Sequence, residues 1–248
     1  MSVKTVTPEV EWNSGTFDST EFVHKIFADR RTLASVFDHT LLKPEATRDQ
    51  VVRICEEAGE FRFACAMVNP GWVSLAHSVL AGSGVPVGVT IGFPLGAGLT
   101  TTKREESAAV LRLGARELDM VINIGQLKSG MNTQVQQDIR AVVQVAHEAG
   151  ALVKVILETC LLNVEEKLRA AELVIAAGAD FLKTSTGFST GGATVTDVAL
   201  LRGVAGSRCG VKASGGIRTL ADAREMLEAG ANRIGASASV AIVNELGD

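Results

Sequence analysis

The sequence predicts an α/β fold in which eight parallel strands alternate with helices and close into one barrel. Three observations support this prediction: a recurring helix–glycine–strand unit, strands with one apolar and one polar face, and a length of 248 residues. A (β/α)8, or TIM, barrel typically takes about 250 residues. An open, doubly wound sheet with the same number of strands is the alternative.

The chain divides into a short N-terminal helical extension, residues 1–32, and the barrel, residues 33–248. An amphipathic stretch at 20–31 marks the extension, which we expect to pack on the barrel as part of a single domain. No linker-like segment interrupts the rest of the chain.

The elements follow one another in a regular order. The first strand is predicted at 33–42, and the others at 62–68, 87–92, 118–123, 153–157, 181–186, 211–214 and 233–237. Helices are predicted between them, including 47–58, 102–113, 135–149, 164–177 and 220–229, several opened by Thr, Asn or Asp caps. Most end in Ala-Gly-Ala or a close variant, because glycine readily takes the left-handed conformation that stops a helix. Alternation of strand and helix indicates parallel pairing.

Composition excludes several classes of protein. With 46% hydrophobic and 21% charged residues, the chain is globular rather than disordered. Its formal charge is −4, and it has no basic block, so we expect no nucleic-acid partner. It contains no long uninterrupted apolar run, signal peptide, GxGxxG or GxxxxGK[ST] motif, which predicts a cytoplasmic protein without a membrane or nucleotide site.

Cysteines and histidines give no metal signature. The four cysteines are widely spaced without CxxC, which favours reduced thiols over a disulfide framework or a zinc site. The four histidines lack HxH or HExxH spacing. We therefore expect no metal.

Polar residues alternate with apolar ones along the predicted strands. A strand of a parallel barrel is buried on both sides, so the apolar face must meet the helices and the polar face must point inward. The inward set is Glu117, Asp119 and Asn123; Lys154 and Glu158; Lys183 and Ser185; Lys212 and Ser214.

Lysines on adjacent strands suggest amine chemistry. Burial and a like charge both lower the pKa of a lysine, and a neutral amine can attack a carbonyl to form a Schiff base. For Lys154 with Glu158, a buried ion pair that only fills the barrel is as good an interpretation as direct chemistry. Asp38, His39 and Thr40 end the first predicted strand, where they support the mouth of the site or cap a turn.

Glycines after the last strands suggest a phosphate site. Gly215 and Gly216 follow the seventh strand, Gly235 and Ser237 end the eighth, and Gly187 follows the sixth. Barrels frequently bind phosphate at this place through backbone N–H groups. The alternative is that these glycines only turn the chain.

Motifs throughout residues 33–243 resemble those of the deoxyribose-phosphate aldolase family. They are the segments 38–44 (DHTLLKP), 92–96 (GFPLG), 117–123 (ELDMVIN), 154–159 (KVILET), 183–188 (KTSTGF) and 211–218 (VKASGGIR). The resemblance implies a barrel lyase that reversibly cleaves 2-deoxy-D-ribose 5-phosphate into D-glyceraldehyde 3-phosphate and acetaldehyde, in the catabolism of deoxynucleosides. It implies no metal or organic cofactor, and a homo-oligomer, dimeric or larger.

The resemblance also implies residue roles. Lys183 would form the Schiff base, Lys212 would depress its pKa, and Asp119 would relay protons. Lys154 would pair with Asp119 or Glu158, and Asp38 would support the site. The phosphate would be bound by Gly187, Gly215, Gly216, Gly235 and Ser237.

Two departures from the family stand out. The sequence has no tyrosine, whereas some relatives carry a C-terminal tyrosine that assists proton transfer. Phe188 stands where some relatives have a lysine, so phosphate binding here would rest on backbone N–H groups and Arg218. Two other functions stay open: another Schiff-base sugar-phosphate aldolase, and a non-catalytic barrel that binds a sugar phosphate.

Overall fold

Eight parallel strands form a closed barrel in the order β1 to β8, with β8 pairing back to β1. The structure, a computed structural model, describes residues 17–247. The strands are β1 Phe37–Leu41, β2 Cys65–Val68, β3 Val87–Ile91, β4 Ala115–Val121, β5 Leu152–Ile156, β6 Phe181–Lys183, β7 Gly210–Ser214 and β8 Arg233–Ala236. The closed sheet confirms the predicted barrel and excludes the open alternative.

Helices surround the barrel. They are α1 Ser19–Ile26, α2 Arg30–Ala34, α3 Arg48–Phe61, α4 Val73–Val79, α5 Thr100–Arg112, α6 Ile124–Lys128, α7 Asn132–Glu148, α8 Val164–Ala176, α9 Val195–Ala205, α10 Leu220–Glu228 and α11 Ser239–Asn244. Thr47, Asn163 and Thr219 cap α3, α8 and α10 as expected, each in a reciprocal capping box. Among these described residues, none of the helices has the length and apolar character needed to cross a membrane.

Several boundaries predicted from the sequence are wrong: β2 begins at Cys65 rather than 62, β4 spans Ala115–Val121 rather than 118–123, and β6 ends at Lys183 rather than 186. Two more lie near the front of the chain. The first strand begins at Phe37, and the segment Arg30–Ala34 is helical because Asp29 caps it by accepting the Thr32 N–H at 2.8 Å. Gly59, the glycine that follows the predicted helix 47–58, lies inside α3, and the left-handed residue that ends that helix is Arg62, with φ of 55°.

Residues 1–16 of the predicted extension lie outside the described residues. The described part contacts the barrel's helical layer through stacked guanidinium groups: Arg202 of α9 lies 4.1 Å from the Phe17 ring centroid and Arg224 of α10 lies 3.8 Å from that of Phe27. Helix α2 spans the expected division between residues 32 and 33, so that division stays a prediction.

Strand residues separate into two faces as the alternation predicts. Leu118, Met120, Val153 and Val155 are fully buried in the large apolar core that joins the strands to the helices. The alternate residues of the same strands, such as Asp119 and Lys154, form ion pairs with residues of other strands. The apolar core is therefore a ring around the barrel, and the barrel interior holds charged side chains beside a small separate apolar cluster that includes Cys65 and Met67.

A second buried ion pair lies in the helical layer. Lys103 of α5 donates to Asp138 of α7 at 2.5 Å and to the Val121 carbonyl at the end of β4 at 2.9 Å. Both side chains are almost completely buried, at 1% and 3% exposure. The pair joins two helices to the C-terminal end of a strand, which is the end where barrel enzymes place their sites.

We expect Lys103→Met to lower the free energy of unfolding by about 3–5 kcal/mol, because it leaves the Asp138 carboxylate buried without its cation. The double variant Lys103→Met/Asp138→Leu should recover most of that loss, since neither charge is then buried. Urea denaturation followed by circular dichroism measures both values. A loss below about 1 kcal/mol in the single variant would contradict the assigned role.

Candidate active site

Seven charged side chains meet inside the barrel. They come from six strands: Asp38 of β1, Glu117 and Asp119 of β4, Lys154 of β5, Lys183 of β6, Lys212 of β7 and Arg233 of β8. All are at most 3% exposed except Arg233, whose side chain is 11% exposed. Parallel pairing places Asp119 beside Lys154, and Lys183 beside Lys212, at matched positions on neighbouring strands.

Asp119 is the centre of this cluster. Its Oδ2 accepts hydrogen bonds from Lys183 Nζ and Lys212 Nζ, both at 2.6 Å, and its Oδ1 accepts one from Lys154 Nζ at 3.0 Å. Burial alone would raise the pKa of Asp119, but the three ammonium groups hold it well below its usual range. The structure therefore brings together the three residues predicted to be catalytic, around a carboxylate that stays ionised.

Lys183 is the lysine whose amine becomes available. Burial is the largest cause that lowers its pKa, and the nearby Lys212 lowers it further; Asp119 opposes them, and the result is a pKa of about 8. At pH 7 this gives about one amine in ten as the free base, against a few in ten thousand for an unperturbed lysine.

The charge count explains why one lysine can lose its proton. Four cations (Lys154, Lys183, Lys212, Arg233) face three carboxylates (Asp38, Glu117, Asp119), so the fully ionised cluster carries one excess positive charge. Deprotonation of Lys183 makes the cluster neutral. Since buried net charge is costly, the cluster favours release of one proton.

Lys154 and Asp38 support Asp119 and Lys212. Lys154 donates to Asp119 and to Glu117 and lies 3.5 Å from Asp38, and these carboxylates raise its pKa against the effect of burial. Asp38 accepts hydrogen bonds from Lys212 and from Arg233, the latter at 2.7 Å. Its pKa is lowered because Lys154, Lys212 and Arg233 outweigh burial.

Some of these polar residues lie in other surroundings than the alternation predicts. Lys154 pairs with Asp119, one of its two expected partners, rather than with Glu158, which hydrogen-bonds instead to Thr186. Asp38 lies within β1 rather than at its end, and it supports the cluster through Lys212 and Arg233 rather than capping a turn. Asn123 caps α6 by accepting the Gln126 N–H at 3.1 Å. The alternation does not extend beyond the strand ends, because β4 stops at Val121 and β5 at Ile156.

Asp38, Cys65 and Glu117 each place a ligand-type atom within 4.8 Å of the others, a spacing that could suit a metal ion. The two carboxylates already accept hydrogen bonds from Lys154, Lys212 and Arg233. Burial also raises the pKa of the Cys65 thiol well above its usual value. A cation at this place would have to displace ammonium and guanidinium groups, so the donor set fits an ion-pair cluster better than a metal site.

Glycine loops lie beyond the strand ends. Gly187, Gly215 and Gly216 all have φ near +85°, a left-handed conformation that suits glycine. Among the described residues their N–H groups donate to no other group. Free backbone donors on the loops after β6 and β7 can bind an anion.

The loops after β6 and β7 touch through their backbones. A Cβ added to Gly192 would lie 2.2 Å from the Gly215 carbonyl oxygen. The Ala193 N–H donates to the carbonyls of Ser214 and Gly215 at 3.1 and 3.0 Å. The two loops therefore form one continuous wall at the mouth of the barrel.

The other predicted phosphate residues lie in different surroundings. Ser237 is exposed just after β8, whereas Gly235 lies within β8, where an added Cβ would be 3.0 Å from Lys212 Cε. Gly235 thus gives Lys212 room inside the barrel. Phe188, 50% exposed, meets the Phe93 ring edge-on at a centroid distance of 5.2 Å.

Sequence reasoning missed two residues of this region. Arg233 lies beside Lys212 in the sheet and donates hydrogen bonds to the carboxylates of Asp38 and Glu117. Its alternation with Ile234 is the same signal that located the lysines. Thr186, which binds Glu158, follows a three-residue strand and gave no such signal.

Fold and site together define a barrel enzyme with a lysine amine at its centre. Residues 32–244 match the family described as DeoC/LacD family aldolase. The chain belongs to this aldolase family.

The particular relatives are deoxyribose-phosphate aldolases. Those of Bacillus mycoides (strain KBAB4) and Bacillus cytotoxicus are each 58% identical over 211 residues, covering 85% of this chain and 94% of theirs. The tetrameric deoxyribose phosphate aldolase structure from Aeropyrum pernix superimposes with a TM-score of 0.84 at 34% identity, covering 92% of this chain and 98% of that one.

Lys183→Met should raise the free energy of unfolding at about pH 7, because three cations then face three carboxylates. Folded Lys183 loses its proton near pH 8 and an unfolded lysine near 10.5, so the wild type carries the whole cost of the buried ammonium below pH 8. As pH rises from 8 towards 10.5, the wild type gains stability that the variant does not.

The stability advantage of Lys183→Met should therefore be largest below pH 8 and shrink above it. Urea denaturation across this range measures it, with Lys167→Met as a control for removing a partly exposed lysine that pairs with Asp197. An advantage that does not change with pH would contradict the assignment of the lowered pKa to Lys183.

Proposed function

We propose that this protein reversibly cleaves 2-deoxy-D-ribose 5-phosphate into D-glyceraldehyde 3-phosphate and acetaldehyde through a Schiff base on Lys183. Relatives 58% identical bear the name of this activity. The observation that carries the proposal is the buried Lys183 amine, with its pKa lowered to about 8 and its Nζ held 2.6 Å from Asp119.

The first half of the reaction makes an electron sink. The free Lys183 amine adds to the aldehyde carbon of the open-chain sugar, and uptake of one proton with loss of water gives a protonated imine. The C3 hydroxyl then loses its proton while the C2–C3 bond breaks. The bonding electrons move towards the imine nitrogen, which leaves an enamine on Lys183 and releases D-glyceraldehyde 3-phosphate.

The second half returns the proton. C2 of the enamine takes up a proton, and water hydrolyses the resulting protonated imine to release acetaldehyde, the free amine and the proton taken up when the first imine formed. Asp119 and Lys212 share a hydrogen bond at 2.6 Å beside Lys183, and they move this proton with a water between them and the substrate. Lys154 and Asp38 hold these two groups in place.

The phosphate end of the sugar binds at the glycine loops. Gly187, Gly215 and Gly216 supply backbone N–H groups, and Ser237 lies on the loop after β8. Gly235 acts there through the space it leaves for Lys212. Because the imine supplies the electron sink, the reaction needs no metal or organic cofactor, and turnover should persist in EDTA.

We also propose a homo-oligomer that works in the cytoplasm, with a small sugar phosphate as its partner and neither nucleic acid nor membrane. The tetrameric relative from Aeropyrum pernix supports self-association, and the formal charge of −4 disfavours a polyanionic partner. Sedimentation equilibrium of the purified chain tests the assembly, and a monomer at micromolar concentration would contradict it.

A coupled assay should detect the release of acetaldehyde from 2-deoxyribose 5-phosphate by the purified protein.

Acetaldehyde plus borohydride should also add one ethyl group to the protein at Lys183, because borohydride reduces the imine that acetaldehyde forms there. Peptide mass spectrometry locates the label, and Lys183→Met is the control. Labelling without turnover would favour another Schiff-base aldolase, whereas the absence of both would favour a binding protein. Label on another lysine would overturn the assigned nucleophile.

Lys212→Met should raise the pH at which Lys183 is half-labelled by acetaldehyde and borohydride. Loss of the Lys212 charge removes a cause of the lowered pKa and leaves Asp119 to favour the Lys183 ammonium. At about pH 7 the labelling rate should fall by about tenfold or more. Mass spectrometry across a pH series measures the midpoint, and an unchanged midpoint would remove Lys212 from this role.

A further inference from the structure

Glu158 is a buried carboxylate that the ion cluster does not use. It follows the end of β5, is 2% exposed, and has a left-handed backbone with φ of 58° and ψ of 63°. A residue other than glycine keeps such a conformation only where its surroundings hold it there, and such residues gather at functional sites. The hydrogen bonds of the Glu158 carboxylate therefore indicate which part of the site this residue serves.

Both carboxylate oxygens of Glu158 bind Thr186. Oε1 accepts the Thr186 N–H at 3.2 Å, and Oε2 accepts the Thr186 hydroxyl. The same hydroxyl oxygen accepts the Phe188 N–H at 3.0 Å. These bonds occupy the donors on either side of Gly187, whose own N–H stays free among the described residues.

The turn that carries Glu158 also touches the far part of this loop. Cys160 Sγ lies 3.9 Å from both Glu158 Oε1 and Thr190 Oγ1, and a Cβ on Gly191 would come within 2.9 Å of Cys160 Cβ. On its other side the loop packs on Gly215 through Gly192. Residues 186–193 therefore lie between the turn after β5 and the loop after β7.

We propose that Glu158 is a positioning residue for the substrate phosphate: through Thr186 it fixes the loop so that the Gly187 N–H faces the anion. This inference rests on the proposed function. A positioning role can be distinguished from a direct effect of the Glu158 charge, because a carboxylate near a phosphate should repel it. If Glu158 acted only through its charge, removing it would tighten phosphate binding, whereas a positioning role requires the opposite change.

The test compares Glu158→Ala with Glu158→Gln. Alanine leaves the Thr186 N–H and hydroxyl without their partner, whereas glutamine removes the charge but can still accept the N–H and hydrogen-bond the hydroxyl. Glu165→Ala is the matched control, since it removes an exposed carboxylate from the neighbouring helix α8.

Steady-state kinetics with 2-deoxyribose 5-phosphate and with 2-deoxyribose provide the first readout. Glu158→Ala should raise KM for the phosphorylated sugar by about tenfold or more with little change in kcat, and change kcat/KM for the unphosphorylated sugar less than about threefold. Glu158→Gln should stay within about threefold of wild type on both sugars. Equal losses on both sugars, or tighter binding of the phosphorylated one, would overturn the proposal.

Two further measurements test the positioning role of Glu158 independently of the proposed reaction. Calorimetry with inorganic phosphate should show affinity weakened in Glu158→Ala and retained in Glu158→Gln and Glu165→Ala, even if the sugar is not a substrate. Reductive labelling of Lys183 by acetaldehyde should be unchanged in Glu158→Ala, since acetaldehyde has no phosphate.

If Glu158→Ala fails to fold, variants of Thr186 provide the test. Thr186→Val should weaken phosphate binding, whereas Thr186→Ser should retain it. Unchanged phosphate affinity in Thr186→Val would overturn the positioning role of Glu158.

Discussion

The carboxylate of Asp119, shared by three lysines in the interior of the barrel, is the interaction on which the rest of the site depends. A buried carboxylate is stable only with close cations, and closely packed cations are stable only with carboxylates between them. Asp38 and Glu117 therefore accompany Lys154, Lys212 and Arg233, and the one surplus positive charge falls on Lys183. The lowered pKa of that lysine is a property of the whole cluster.

The barrel has two zones. Charged side chains lie on the strands, where packing on both sides of the sheet surrounds them. Backbone N–H groups that donate to nothing else among the described residues lie on the loops after β6 and β7, and the close approach of Gly192 to Gly215 holds those loops against each other. Glu158 connects the zones, since its backbone follows β5 and its carboxylate reaches Thr186.

Much of the fold and the cluster could be predicted because both follow from strict repeats. Glycine after a helix indicates where a strand starts, and an alternation of period two indicates the inward side chains, so Asp119, Lys183 and Lys212 could be placed inside the barrel from the sequence alone. The alternation fails where strands end, which is why Asn123 and Glu158 were misplaced. Leu33 and Ala34 could not be distinguished from strand because a short apolar run suits a buried helix equally well.

The backbone contact between the loops after β6 and β7 has a consequence for how this enzyme can diversify. A side chain introduced at Gly192 would meet the Gly215 carbonyl, so a change in one loop must be accommodated by the other. Variation in this wall would therefore need paired substitutions. The exposed Leu95 and Leu99, on the loop that follows β3, face no such constraint from their own side chains, which are 73% and 72% accessible. Leu95 and Leu99 can therefore be replaced one at a time, whereas Gly192 cannot.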